Sequence, residues 1–421
     1  MNLYLLLIII VPILGITLDR LKPNGDSIEI AKYNSELIEN AIYLYDEVII
    51  PDNKYTIYPI YISNKSNIRL QIDGTLVAQF NIKKWPTGEN GKAYDIINFE
   101  NMENITITGT GMVDGNGYNW WRSVLSGDSD NRGHMFKMIQ CKNILIENIY
   151  VKNSPQFHFY LNDVLDVIIR GIDIWVDTKA QRNIMKYFEQ WNSAGRVPIF
   201  PLNTDGIDPK GKNVHIYNVT IRNYDDAVAV KPANEGNYYS DCTENIIVED
   251  VKVTHSTGMA IGSVPPNNNI NCIKNVIFKN IEFNTPFKAV YIKTNPGNNG
   301  YGLIQNITYE NIVINKPLWY AIYIGPQQQK QPDGSGPGCM LYPFNPDCPT
   351  QPRISIKDIH LKDITSKSGL LLPGIIRCNE TNPCGDFFFK NVNVKGWLSK
   401  KGYICENIYG YSYGSNPKPC F

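Results

Sequence analysis

With 421 residues and 40 basic against 40 acidic side chains, the chain carries no formal net charge at neutral pH. That balance excludes a nucleic-acid binder relying on bulk positive charge and leaves any anionic ligand to a specific site. The length admits either two or three ordinary domains or one long repeat fold.

The first apolar segment, "LYLLLIIIVPIL" at residues 3–14, is shorter than a membrane span and has the form of a signal-peptide h-region, with small Gly15 near a cleavage point. Residues 1–16 are therefore expected to be a secretory leader and residues 17–421 the mature domain, extracellular and not membrane-bound. Retention of the segment as an anchor is the alternative, because the preceding "MN" has no Lys or Arg. Residues 28–46, "IEIAKYNSELIENAIYLYD", read as a short helix capping the end of a solenoid, with Ile28, Ala31, Leu37, Ala41 and Leu44 facing inward.

From about residue 100 the chain restates one phrase: "ENITITGTG", "CKNILIENIYVKNS", "GKNVHIYNVTIRN", "TENIIVEDVKVTH", "IKNVIFKNIEFNT", "IQNITYENIVINK" and "SIKDIHLKDITSKSG". Each is a short β-branched strand punctuated by Asn or Asp. The marker residues Asn213, Asn245, Asn275 and Asn306 are separated by 32, 30 and 31 positions, a period that means a solenoid. A second strand closes each unit, as in "DDAVAVKP", "TGMAIGSV", "FKAVYIKT" and "WYAIYIGP". Short strands, Asn-rich corners and no long helical pattern predict an all-β parallel β-helix, one coil per repeat, with the corner asparagines bonded along the axis.

Two segments interrupt the repeat. Residues 178–202 contain a predicted short amphipathic helix, whose aromatics Tyr187, Phe188 and Trp191 either wall a cleft or pack the loop, and residues 326–352 are rich in Pro, Gly and Cys. The pairs Cys339/Cys348, Cys378/Cys384 and Cys405/Cys420 are spaced for local disulfides, in keeping with export. Nine cysteines leave at least one free, and Cys141 is the candidate. Sequons at Asn64, Asn104, Asn218, Asn306 and Asn379 permit glycosylation.

The acidic residues of "NTDGID" (203–208) and "DDAVAV" (225–230) stand out in otherwise neutral strand sequence. Asp208 is covered by the ordinary preference of Asp for turns. The pair Asp225 and Asp226 is not, since it runs straight into a strand. Asp205 precedes Asp225 by 20 residues, about one coil, so the carboxylates project from neighbouring coils ~4.8 Å apart, and with lateral offset reach the roughly 6.5–9.5 Å used by inverting glycosidases. Clustered acids also push one another's titrations apart, leaving one protonated while others are ionised. Counting six residues on from Asp225, Thr257, Phe287 and Trp319 gives a column Lys231, Ser263, Lys293 and Gly325. Its two lysines either balance the acids or hold a substrate carboxylate.

On these two acidic motifs, with "GTGMVDGNGYNWW", "NSPQFHFYL", "GMAIGS", "IKT" and "RCNETNPC" in order, the chain resembles the polygalacturonase family of glycoside hydrolases. These are secreted right-handed parallel β-helices that hydrolyse pectic polysaccharides with inversion. The resemblance runs from about residue 20 to about residue 400 and implies Asp225 as general acid, Asp205 and Asp226 as the residues that hold and activate water, Asn203 as a positioning group and Lys293 as a substrate contact. It also implies a polysaccharide substrate, no metal and no cofactor, and the expected state is a monomer. Two positions depart from the family pattern: Thr257 stands where the family has His, and Tyr291 where it has Arg. Lys231 is the expected substitute for the lost positive charge, and Tyr291 is suited to stacking on a sugar ring. His255, two residues before Thr257, reaches the site only through a bulge. The rival readings are a calcium-dependent pectate lyase using the acids as ligands and a non-catalytic carbohydrate-binding β-helix.

Overall fold

The computed structural model describes residues 14–187, 202–266, 270–296, 300–328, 338–339, 342–396 and 402–421. Within them, 28 strands join in one continuous, right-handed parallel ladder that winds upon itself as a β-helix. The register repeats with the sequence period: Val214 pairs with Ile246, Ile246 with Val276, Val276 with Ile307 and Ile307 with Ile359. Alternation within each strand sends those residues into a core of Ile, Val, Leu and Phe that runs the length of the molecule.

The coils turn at residues in the left-handed region. Asn213, Asn245, Asn275 and Asn306 all have φ between 55° and 58°, a conformation Asn tolerates because its short amide bonds locally. Their side chains form the expected ladder: the amide of Asn245 donates to Asn213 (3.1 Å), Asn275 to Asn245 (3.3 Å) and Asn306 to Asn275 (2.9 Å). A second ladder links Asp250, Asn280 and Asn311.

The capping helix is present as Ile28–Leu44, with Ser27 accepting from the Ile30 N–H. Its buried face differs from the expected one. Ala31, Asn34, Ser35, Ile38, Ala41 and Ile42 face the core, Ile28 and Leu37 are half-buried, and Leu44 is exposed. The reason is polar: Asn34 donates to the carbonyl of Thr56 (3.0 Å) and Ser35 to that of Tyr58 (2.8 Å), satisfying backbone groups at the open end of the first coil. Residues 1–13 of the expected leader lie outside the described residues. The expected boundary at residue 16 falls inside a strand, Gly15–Thr17, that pairs with Glu47–Ile49. No helix of the described residues is long and apolar enough to cross a membrane.

The expected helix of the first interruption is Thr178–Tyr187; Phe188, Trp191 and the side chain of Tyr187 lie outside the described residues. The three local disulfides are formed, and a fourth, Cys242–Cys272, ties one coil to the next. Cys141 is the free cysteine, and burial pushes its thiol up to about 11. In the native protein Cys141 is therefore expected to resist alkylation by iodoacetamide at pH 8 and to react stoichiometrically in denaturant, as read by intact mass.

Candidate functional site

Four short strands, Asp226–Val230, Gly258–Val264, Val290–Thr294 and Ile322–Pro326, lie side by side on one face. Val228 pairs with Met259, Met259 with Val290 and Val290 with Ile322. Asp225 and Asp226 stand at the entrance of the first strand. Asp205 is brought beside them by the preceding coil, where Gly206 donates its N–H to the Asp226 carbonyl (3.0 Å) and Ile207 pairs with Val228. Gly206 is required there: a Cβ on it would meet the Ala227 carbonyl oxygen at 2.3 Å.

The three carboxylates converge, one oxygen of each within 4.8 Å of the other two, and all three side chains are buried. These oxygens are closer than the expected 6.5–9.5 Å. Two of the residues are consecutive and the third is in direct register, so there is little lateral offset.

The environment separates their charge states. Burial opposes ionisation of Asp226, but the Lys293 ammonium beside it (2.6 Å), more distant Lys231 and the Lys293 and Thr257 hydrogen bonds prevail and hold it below the usual carboxylate range. Burial and then the Asp226 charge push Asp225 up to about 7. Asp205 is raised well above the ordinary value by burial, then by Asp225 and Asp208.

A layer of backbone contacts fixes the acids. Asn223 donates to the carbonyls of Thr204 (3.0 Å) and Asp226 (2.8 Å), stitching the two motifs together. His158, buried and with its pKa drawn down by burial to about 4, places Nδ1 2.9 Å from the Asp205 carbonyl oxygen, while its Nε2 accepts from the Ser154 N–H. Buried Arg132 donates to the carbonyls of Leu202 (2.5 Å) and Pro155 (2.9 Å), anchoring the chain just before Asn203. Asn203 itself is half-buried with φ 44°, the left-handed turn that delivers Asp205.

Each expected site residue can now be placed. Thr257 is buried and bonds Asp226, while its N–H donates to the Asp225 carbonyl (2.9 Å). Lys293 is at the centre of the cluster. Lys231 stands at its edge, paired with Asp208 at 3.1 Å and 5.4 Å from the Phe157 ring centroid. It does not align with Ser263: Val230 pairs with Ile261, and the register shifts between Ile261 and Val264, whereas Lys293 lies opposite Gly325 as counted. Tyr291 is fully buried, its hydroxyl accepting from the Gln328 N–H (3.0 Å). Its ring forms a floor under Lys293 and offers no open stacking surface for a sugar. His255 stays out of the cluster, bonded to Thr285 and in tilted ring contact with Tyr224.

Two residues of the site were not anticipated. Asp208 is no turn residue: it lies in the Ile207–Asn223 strand, fully buried, with burial pushing it up to about 6 against the pull of Lys231. Its position three residues after Asp205 in "NTDGID" was the available signal. Lys288, fully buried among Phe287, Tyr291 and Tyr323, had none beyond its nearness to Lys293.

Three oxygen donors at this separation also suit a hard cation such as calcium. Asp226, however, already holds an ammonium on one oxygen and the Thr257 hydroxyl on the other.

Among solved structures, the exopolygalacturonase of Thermotoga maritima superimposes with a TM-score of 0.71 at 19% identity, covering 96% of this chain and 92% of its own. The endo-xylogalacturonan hydrolase of Aspergillus tubingensis does so with 0.66 at 18%, covering 96% of both chains. At these identities the likeness establishes the fold. Among curated proteins, a polygalacturonase of Persea americana is 26% identical over 267 residues, 61% of this chain and 50% of its own length. An exopolygalacturonase of Cochliobolus carbonum is 25% identical over 323 residues, 73% of this chain and 64% of its own. The chain thus spans about half to two thirds of the length of these relatives. The model of glycosyl hydrolases family 28 matches residues 43–416, nearly the whole β-helix with all three acids, and the chain belongs to that family.

Proposed function

We propose that the protein is a secreted glycoside hydrolase that cleaves a pectin-type polysaccharide by acid–base catalysis with inversion. The observation that carries this reading is the split of charge between two adjacent buried acids: Asp225 raised to about 7 and Asp226 held down by Lys293. Asp225, protonated below neutrality, gives its proton to the glycosidic oxygen as the bond to C1 breaks. Asp226, with Asp205 next to it, takes a proton from the water that attacks C1 from the opposite face. Thr257 and Lys293 each donate to one Asp226 oxygen and fix that carboxylate beside Asp225. Polygalacturonase and exopolygalacturonase names among the relatives support a pectic polymer as substrate; the apolar leader sequence and four disulfides support secretion.

The test is incubation with polygalacturonate, xylogalacturonan and rhamnogalacturonan in the presence of EDTA, measuring new reducing ends and, by NMR, the anomer first released. Metal-independent release of the inverted anomer is the expected result. The acidic cluster specifically favours one other reading, a calcium-dependent lyase. An unsaturated product absorbing in the ultraviolet, formed only with calcium, would establish that reading instead. Binding without any release would mean that Thr257 and Tyr291 mark a site that holds polymer without cutting it.

A further inference from the structure

We propose that the outer face of the last coils is a second polysaccharide-binding surface, separate from the acidic cluster, where exposed tyrosines stack on the sugar rings of an anionic polymer and two lysines hold its carboxylates. The choice of polymer rests on the pectic substrate proposed above; the surface itself does not.

The final strand, Ile408–Tyr413, reads "IYGYSY". Alternation along it sends Gly410 and Ser412 inward, opposite buried Phe387 and Phe389, and Tyr409, Tyr411 and Tyr413 outward. The three side chains are 64%, 65% and 72% exposed. From first to last they span four strand rises, roughly 13 Å. They are not needed to close the end of the solenoid. Phe421 packs against the core there, its ring 5.3 Å from that of Phe389 and 6.4 Å from that of Phe387, and Cys405–Cys420 ties the chain end in place. A terminal coil normally turns a polar face to water, so three exposed rings on one strand mark a surface with a partner.

The sheet register extends this surface across coils. Tyr411 lies opposite Phe388, ring centroids 4.8 Å apart, and Phe388 opposite His360 at 5.9 Å, a row of rings crossing three coils. Two residues further along each strand runs a second outward row, in which Lys362 lies opposite Lys390 and Lys390 opposite Tyr413. In earlier coils this second row balances its charges: Glu147 pairs with Arg170 (2.7 Å) and Glu249 with Lys279 (2.9 Å). After Glu310 that balance ends. Lys362 and Lys390 are like charges on neighbouring strands, an arrangement that costs stability. Among the described residues neither forms an ion pair. The aspartates of these strands are corner residues: Asp358 bonds His360 (2.6 Å), Asp363 accepts from Asn391 (2.7 Å), and Asp386 turns the chain with φ 57°.

A row of rings flanked by two uncompensated cations suits a polymer that offers an apolar ring face and a carboxylate in each unit. A neutral glycan would leave the lysines without a partner. A chain of zero net charge is poorly suited to nucleic acid, which also combines stacking rings with negative charge.

The test is affinity electrophoresis of the full chain carrying Asp225→Asn, which keeps the polymer intact, through gels containing polygalacturonate, neutral galactan or no polymer. Retardation by polygalacturonate alone, weakened by salt, is the expected result. Adding Tyr409→Ala, Tyr411→Ala and Tyr413→Ala should lower the affinity on the order of tenfold. Lys362→Gln with Lys390→Gln should also weaken it and reduce its salt dependence, whereas Tyr409→Phe, Tyr411→Phe and Tyr413→Phe together should preserve it. In the otherwise wild-type chain none of these changes should alter cleavage of a short oligogalacturonide, which reads the acidic cluster by itself. No retardation by polygalacturonate, or retardation equal in the alanine and glutamine variants, would overturn the proposal. So would a concentration-dependent dimer in sedimentation that the alanine variant abolishes with retardation unchanged, since the face would then join two copies. Retardation lost in both variants of a protein whose wild type cuts no polymer would support this surface and overturn only the hydrolase reading.

Discussion

Asp225→Asn is expected to lower polymer hydrolysis by about 10²- to 10⁴-fold, the usual contribution of a positioned proton donor, while leaving the fold intact. The amide matches the carboxylic acid in size and keeps an oxygen to accept from the Asp226 N–H, which now bonds Asp225 Oδ1 at 2.9 Å. A second readout separates lost chemistry from lost structure. Asp225 titrates near 7 in the folded chain against an ordinary value of 3.8, so between those pH values the folded state binds a proton that the unfolded state has released. Its contribution to stability is greatest below about pH 4 and falls as the pH rises to about 7. The asparagine variant carries no such penalty. Its melting temperature relative to wild type should therefore rise across that window, and a difference flat with pH would contradict the assignment of Asp225 as the buried acid that stays protonated.

The second large effect concerns Lys293. In Lys293→Met the buried Asp226 carboxylate loses the ammonium 2.6 Å away. Breaking one side of a buried ion pair costs about 3–5 kcal/mol, a clear shift of the denaturation midpoint. Asp226 then escapes the penalty by taking up a proton, which removes the base and lowers the rate by about 10²-fold or more. The double variant Lys293→Met, Asp226→Asn should recover most of the stability and none of the activity, because no charge is left buried without a partner. Stability in the single variant equal to that of wild type would show that Asp226 does not depend on Lys293, and the charge split would need another origin.

The coiled architecture was legible because a β-helix writes its period into the chain: corners need residues that accept the left-handed region, and Asn213, Asn245, Asn275 and Asn306 meet that need once per turn. The same period told which distant residues would meet. Asp205 reaches Asp225 and Asp226 because their separation is one coil, and Lys293 was expected near them for a related reason. Cys242–Cys272, also one coil apart, follows the same arithmetic.

What the period did not decide lies where no regular alternation holds or where a polar contact overrides it. Lys288 occupies a turn, so nothing in its spacing told whether its ammonium faced water or the rings of Phe287, Tyr291 and Tyr323. Tyr291 could be assigned to its strand but not to a depth, which depended on the Gln328 N–H arriving at its hydroxyl. The capping helix was visible in its sequence, yet its rotation was set by Asn34 and Ser35 meeting carbonyls of the first coil. The sequence alone thus determined the repeat, its corners and the meeting of three acids, since these follow from backbone conformation and a fixed rise per coil. Only the tertiary structure decided how the charge of Asp225 and Asp226 divides, because that depends on burial and on the Lys293 ammonium reaching one of them, a side-chain direction no local rule prescribes.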